Sequence, residues 1–193
     1  MRNKKDTKAE TIPEKEGYTA EKRTISITAA SIAALAVMAV LGFVGVIAMY
    51  QLWGDAFRGM AGLLVAFLLG VVVHELIHGL TWIWVTHSSF RHLRFGIMTG
   101  AVYCHIDVPM TKRQYVIGAL MPLVLMGIVP YVLSFIIGNL WLMAFGVLFI
   151  ASAMGDVMIV WAIRNEPPET MVYDHPKEAG CYVYRKNSTS GTL

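Results

Sequence analysis

Residues 24–163 form one continuous stretch that carries only nine Asp, Glu, Lys or Arg side chains. The other 20 charged residues lie in the two ends of the chain, 1–23 and 164–193. In a soluble domain about a quarter of the residues are charged, and they are spread along the chain. The pattern therefore excludes a soluble enzyme, a coiled coil and a disordered chain. It predicts an integral membrane protein with a polar tail at each end.

Four apolar stretches are each long enough to cross a hydrocarbon core of about 30 Å, which requires about 20 helical residues. They comprise residues 24–50, 60–86, 115–137 and 139–163. The first stretch follows a polar segment and is longer than the apolar region of a signal peptide, so we expect an uncleaved helix. The third contains Pro122 and Pro130, where we expect kinks or a break.

The basic residues predict how these spans are oriented. The N-terminal tail contains seven Lys and Arg residues, and the 87–114 loop and the C-terminal tail contain four each. The connection at 51–59 contains one, and the turn at 138–139 contains none. Because cytoplasmic segments carry the excess of Lys and Arg, we expect both termini and the 87–114 loop to be cytoplasmic, at a bacterial plasma membrane.

The two tails hold 11 basic and nine acidic residues, so neither forms a basic surface. We therefore expect no nucleic-acid partner. We expect both tails to be mostly solvated, because they are polar and contain few long apolar runs.

The 87–114 loop has the pattern of a β-hairpin. Apolar residues alternate with other residues from Phe90 to Ile97, and a turn signal follows at Thr99–Gly100. Residues 101–108 are rich in β-branched and aromatic side chains, as strands are. The predicted fold class is thus an all-α integral membrane protein with four transmembrane helices and a β-hairpin loop between the second and third. We expect the hairpin to lie against the membrane or to dip into the helix bundle.

The second apolar stretch contains the motif His74-Glu75-Leu76-Ile77-His78. Residues i and i+4 lie on one face of a helix, so both imidazoles can bind one metal ion. Glu75 lies within an arc of about 100° that includes both histidines, where it can hold a metal-bound water and take its proton. This is the HExxH signature of zinc hydrolases. It predicts Zn²⁺ as the cofactor, His74 and His78 as ligands and Glu75 as the catalytic base.

The membrane context strengthens this interpretation. A charged residue at the centre of a membrane helix costs about 2.5–3.5 kcal/mol on the insertion scale. Three ionisable residues within five positions therefore require a specific role. The alternative role is a polar cluster that packs helices together through hydrogen bonds.

Zinc bound by two histidines needs a third protein ligand. Asp156 is the only other charged residue inside a predicted span. At 1.5 Å per residue, Asp156 and His78 both lie about 10–12 Å from the cytoplasmic ends of their spans. We therefore expect Asp156 to be the third ligand, with Ser152, one turn earlier, bonded to a ligand. His105 and Asp107 are alternative ligands at the end of the hairpin, and His105 is also a candidate for positioning substrate or stabilising an oxyanion.

The sequence resembles the bacterial membrane family named putative zincin peptidase, or domain of unknown function 3267. The resemblance covers roughly 60–163 and rests on the 74–78 motif, Tyr103-Cys104-His105, Pro109, Pro122 and Gly155-Asp156. That family is similar to the site-2 protease class of intramembrane metalloproteases. In site-2 proteases a glycine follows the aspartate, whereas here Gly155 precedes it and Val157 follows it. The resemblance implies zinc held by two histidines and one aspartate, a glutamate that activates water, and an active site reached from the cytoplasmic side.

The sequence therefore predicts an intramembrane zinc metalloprotease. We expect its substrate to be a membrane protein or a membrane-associated peptide that pairs with the hairpin by strand addition. The alternative is a metal-binding membrane protein without catalysis, which acts as a scaffold or binds a partner. A transporter is disfavoured, because the spans contain few polar residues and no internal repeat.

Overall fold

A computed structural model describes residues 15–53, 62–98, 101–176 and 178–187. It confirms four helices that are long and apolar enough to cross a membrane. They are Ile27–Trp53, Val65–Thr86, Lys112–Ile137 and Leu140–Ala162. Their outer faces carry large exposed apolar side chains, among them Phe43, Leu69 and Ile136. A continuous apolar surface of this kind is suited to lipid rather than to water.

The first two spans are uninterrupted helices, α1 (Ile27–Trp53) and α2 (Leu63–Thr86). Helix α2 ends at His87, which adopts the left-handed conformation with φ 53°. The N–H of His87 bonds to carbonyl oxygens of the last turn, which is a common way for a helix to end.

The third span is a helix with an irregular centre. Helix α3 (Lys112–Pro122) begins after a capping box formed by Thr111 and Gln114. A π-helical segment (Leu123–Ile128) follows, and then helix α4 (Val129–Ile137). The irregularity starts directly after Pro122, because proline lacks the N–H that an α-helix requires there. The expected disturbance at Pro122 is thus confirmed, whereas Pro130 lies in the first turn of α4, where proline is tolerated.

The fourth span is divided into helices α5 (Leu140–Ser152) and α6 (Met154–Ala162). The interruption falls at Ala153, whose φ of −77° and ψ of 0° lie outside the α-helical range. It places Asp156 in the first turn of a new helix rather than in the interior of a long one.

The predicted hairpin is present. Strand β2 (Leu93–Met98) pairs antiparallel with strand β3 (Ala101–Ile106), with Arg94 opposite His105 and Phe95 opposite Cys104. The turn at Thr99–Gly100 lies outside the described residues. Strand β3 packs against α2, where Gly79 permits a close approach because a Cβ there would lie 2.8 Å from the Cys104 sulfur.

The expectation of an all-α fold with solvated tails is wrong, since the described parts of both tails contribute strands to a second sheet, which we call the tail sheet and which also includes two residues of the 87–114 loop. Strands β1 (Tyr18–Thr24), β4 (Met110–Thr111), β5 (Met171–Asp174) and β6 (Gly180–Lys186) form a four-stranded sheet in the order β1-β6-β5-β4. β1 pairs antiparallel with β6, which joins the N-terminal and C-terminal tails. β1 is polar and has no buried residue, so its composition resembles that of a solvated tail, whereas most residues of β5 and β6 are buried.

The sheet is held to the helices by an apolar core. Val172, Cys181 and Val183 of the sheet are fully buried. They belong to one cluster with Ile106 of the hairpin, and with further residues at the ends of α2, α3 and α6. The described strands of the two tails are therefore part of the same folded unit as the ends of the spans.

Candidate metal centre

The 74–78 motif forms a compact group of potential metal ligands on α2. One ligand atom from each of His74, Glu75 and His78 lies within 4.8 Å of the others. The centroids of the two imidazole rings are 4.8 Å apart. Both histidines are buried, and Glu75 is half-buried. The helical spacing thus brings together three groups that bind divalent metals.

Asp156 joins this group from the fourth span. Its Oδ2 atom lies 3.5 Å from Nε2 of His74 and 3.5 Å from Nε2 of His78. Two ligand atoms that each lie about 2.0–2.1 Å from a tetrahedral zinc ion are about 3.4 Å apart. Asp156 is also in the first turn of α6, where the helix dipole favours a carboxylate. The residues present therefore fit the zinc ion that the sequence predicted.

The second ring nitrogen of each histidine has a different environment. Nδ1 of His78 lies 2.9 Å from the carbonyl oxygen of Gly118. Because a carbonyl oxygen can only accept, Nδ1 must carry a proton, so Nε2, the nitrogen that faces Asp156, is the one available to bind a metal. Nδ1 of His74 is buried and has no hydrogen-bond partner among the described residues. A histidine with a protonated Nδ1 and a free Nε2 is prepared to bind a metal.

Glu75 is held in place by the hairpin. Its Oε2 atom accepts a hydrogen bond of 2.7 Å from the backbone N–H of Cys104 in β3. This bond orients the carboxylate and connects α2 to the strand. The N–H of Cys104 must therefore point out of the hairpin, away from β2 and towards the motif.

Glu75, His78 and Asp156 line a common cavity of about 260 Å³. The helices form one side of it. The hairpin, through Tyr103 and Cys104, and the connection between β5 and β6 form other parts of its wall. Glu75, His78 and Asp156 are thus reached from a space between the helices and the strands.

His105 and Asp107 have other partners. Nδ1 of His105 lies 3.0 Å from Oδ2 of Asp174, and both side chains are buried. Asp107 lies 2.7 Å from Nδ1 of His92 and 3.3 Å from Arg94. The structure therefore brings Asp156, and not these two residues, to the histidines of the motif.

The hydroxyl of Ser152 bonds to the backbone rather than to a proposed metal ligand, contrary to expectation. Its side chain is exposed, and its hydroxyl donates to the carbonyl oxygen of Phe149 at 3.1 Å. The expectation assumed a continuous helix through Asp156, in which Ser152 would share a face with the ligand. The interruption at Ala153 removes that relationship.

A second buried polar group, which the sequence does not predict, lies beside the cavity. Besides its contact with His105, Asp174 lies 3.2 Å from the hydroxyl of Tyr115, which donates to Oδ1. The group joins the hairpin, α3 and the tail sheet. Its members lie 59 and 69 positions apart in the chain, so no local pattern in the sequence indicates that they meet.

The two cysteines are free, and neither forms a disulfide. Burial raises the pKa of the Cys104 thiol to about 12, and the negative charges of Glu75 and Asp174 add to this effect. Burial likewise raises the pKa of Cys181 to about 12. Both thiols are protonated at neutral pH, so neither is prepared to act as a nucleophile or as a thiolate ligand.

The family described as putative zincin peptidase, domain of unknown function 3267, matches residues 67–171. The matched range covers more than half of the chain, and the chain belongs to this family. His74, Glu75, His78 and Asp156 all lie inside the range, whereas α1, β1 and β6 lie outside it. No curated protein and no solved structure matches the chain.

Proposed function

We propose that this member of the family described as putative zincin peptidase is an intramembrane zinc metalloprotease that cleaves a membrane protein or a membrane-associated peptide. One observation carries the proposal. A carboxylate oxygen of Asp156 lies 3.5 Å from Nε2 of both motif histidines, beside Glu75 and a common cavity. A cluster that served only to pack helices would not need tetrahedral ligand spacing, a second carboxylate and an adjoining cavity.

Each residue has a defined role in this proposal. His74, His78 and Asp156 would hold the zinc ion, which would supply a Lewis acid to polarise the scissile carbonyl and to acidify water. Glu75 would accept the proton of the attacking water and pass it to the leaving amine. The hydrogen bond from Cys104 would keep the Glu75 carboxylate directed at the cavity during both transfers.

The hairpin offers a place for an extended substrate. Because the N–H of Cys104 points towards Glu75, the outer edge of β3 faces the site. A peptide that added to this edge as a further strand would expose its backbone beside Glu75. A membrane-spanning substrate would first have to leave its helical conformation there, since a helix has no free backbone groups to offer.

The site would be reached from the cytoplasm, with both termini on that side. The distribution of basic residues favours this orientation. Trp84 and Trp161, both more than half exposed, lie near the helix ends next to the strands, and the Arg164 guanidinium lies 4.4 Å from the Trp161 ring centroid. Exposed Trp and Arg residues are typical of a membrane interface. At 1.5 Å per residue, His78 and Asp156 lie about 8–9 Å from these tryptophans along their helices.

A non-catalytic metal-binding scaffold is the second candidate. It is favoured by the bond between Glu75 and Cys104, because that bond gives Glu75 a structural role without catalysis. In such a protein Glu75 would serve to attach the hairpin to α2.

The substitution Glu75→Gln separates the two candidates. The amide oxygen of glutamine still accepts the Cys104 N–H, but the amide cannot act as a base. We expect the purified variant to retain the zinc content of the wild type, measured by elemental analysis. In membranes of cells that express each protein, we expect peptide termini produced by the wild type to be missing with the variant. Identical sets of termini with both proteins would contradict the protease and support the scaffold.

A further inference from the structure

The imidazole of His78 is constrained more tightly than that of His74. Its Nδ1–H donates to the Gly118 carbonyl oxygen at 2.9 Å. Its ring stacks on Trp82, with centroids 5.4 Å apart and planes inclined by 18°. Trp82 is itself fixed, since its indole N–H donates to the carbonyl oxygen of Tyr115 at 3.2 Å. Helix α3 therefore controls both the ring plane and the protonated nitrogen of His78.

The acceptor on Gly118 is available because of a proline one turn later. In an α-helix the carbonyl oxygen of residue 118 would accept from the N–H of residue 122. Residue 122 is proline, which has no N–H and whose ring pushes the carbonyl of residue i−4 away. The N–H of the next residue, Leu123, does not replace it, because it donates to the carbonyl oxygen of Leu120. The Gly118 carbonyl thus lacks its usual helical partner and bonds to His78.

Glycine at position 118 is required for the same contact. A Cβ at this position would lie 2.1 Å from the indole ring of Trp82. Any side chain there would separate α2 from α3 or displace Trp82, and either change would move His78 away from the carbonyl. Gly118 therefore allows α3 to approach Trp82 of α2 closely, and Pro122 leaves the Gly118 carbonyl oxygen free to accept from His78.

We infer that Gly118 and Pro122 are positioning residues that fix His78 as the Nδ1–H tautomer, with Nε2 directed at the metal position. The inference rests on the proposed metal centre, because the tautomer matters for a residue that binds through Nε2. Partners of this kind raise metal affinity about 10- to 100-fold when they bond to a ligand histidine.

The test restores the missing N–H. Pro122→Ala and Pro122→Val both provide it. Because valine keeps most of the buried volume of proline, an effect seen in both variants is due to the added N–H and not to a cavity. The matched control is Pro130→Ala, which removes the other proline of the same span, in the first turn of α4. Zinc affinity is measured by chelator competition in detergent, and melting temperature by a thermal scan. The His78 tautomer is measured by ¹⁵N NMR of histidine-labelled, metal-free protein at a pH where the imidazole is neutral, since only the neutral ring has tautomers.

We expect both Pro122 variants to bind zinc about tenfold more weakly, to melt at the same or a higher temperature, and to show a mixture of His78 tautomers. Pro130→Ala should keep wild-type zinc affinity and a single tautomer. Wild-type zinc affinity with a single tautomer in the Pro122 variants would overturn the inference, as would an equal loss in Pro130→Ala. A wild-type protein that binds no zinc would contradict the proposed function, while the tautomer in the metal-free protein would still decide the inference.

Discussion

The backbone N–H of Cys104 donates to Oε2 of Glu75 at 2.7 Å, so the proposed catalytic base also attaches the hairpin to α2. The same contact orients the carboxylate and the strand edge towards one another. A hydrogen bond to a charged group contributes about 1.5–3 kcal/mol, which makes this contact a substantial part of what holds β3 in place.

Removing the Glu75 carboxylate should loosen the hairpin. In Glu75→Ala we expect amide hydrogen exchange at Cys104 to accelerate about 10- to 100-fold, because that factor corresponds to the free energy of the lost hydrogen bond. In Glu75→Gln the acceleration should be smaller, because a neutral acceptor remains. Exchange measured by mass spectrometry on hairpin peptides checks this, with peptides from α5 as an internal control. Equal exchange at Cys104 in the wild type and Glu75→Ala would show that the bond does not hold the strand.

Asp156 should be essential for metal binding. Asp156→Ala removes a carboxylate oxygen that lies 3.5 Å from both Nε2 atoms. The loss in zinc affinity should exceed the 10- to 100-fold typical of an outer partner, because a direct ligand would be gone. Zinc content after dialysis against a weak chelator measures it.

Asp107→Asn is the matched control for Asp156→Ala. Asp107 contacts His92 and Arg94 rather than the histidines of the motif, so this variant should keep its zinc. Full zinc content in Asp156→Ala, together with loss of zinc in Asp107→Asn, would show that Asp107 and not Asp156 is the third ligand.

The candidate metal site is predictable from local features of the sequence. The spacing of His74 and His78 needs only helical periodicity. Asp156 was indicated because a lone carboxylate in an apolar span is costly without a partner. The environment of Ser152 is not predictable in this way, because the helix is interrupted at Ala153 without a proline at that position to indicate it.

The tail sheet was not predictable in the same way. Tyr18 pairs with Lys186, and Thr24 with Gly180, across almost the whole length of the chain. Pairing over such a distance leaves no periodic pattern in either tail alone. Asp174 and Tyr115 were missed for the same reason, since their contact exists only once the sheet has packed on α3.

Both cysteines should resist alkylation in the folded protein. With burial raising each pKa to about 12, only about one thiol in 10,000 is ionised at pH 8. Because the thiolate is the nucleophile, we expect iodoacetamide to react about 1,000-fold more slowly than with a thiol of pKa 9. Labelling should become rapid in SDS. The variants Cys104→Ser and Cys181→Ser assign the signal, and fast labelling of either cysteine at pH 8 without SDS would contradict its burial.

The tail sheet should contribute to the stability of the helices on which it packs. Val183 is fully buried in β6, within the cluster that includes Ile106 of the hairpin and Ile159 of α6. Val183→Ala should cost about 1–3 kcal/mol, as deletions of buried methyl groups do. For a chain of this size that cost corresponds to a fall in melting temperature of about 2–12 °C. Lys186→Ala, an exposed position in the same strand, should change the melting temperature by less than about 2 °C. If Val183→Ala had the melting temperature of the wild type, the tail sheet would not stabilise the helices. The part of the cavity wall that the sheet provides could then unfold without unfolding the helices that carry the site.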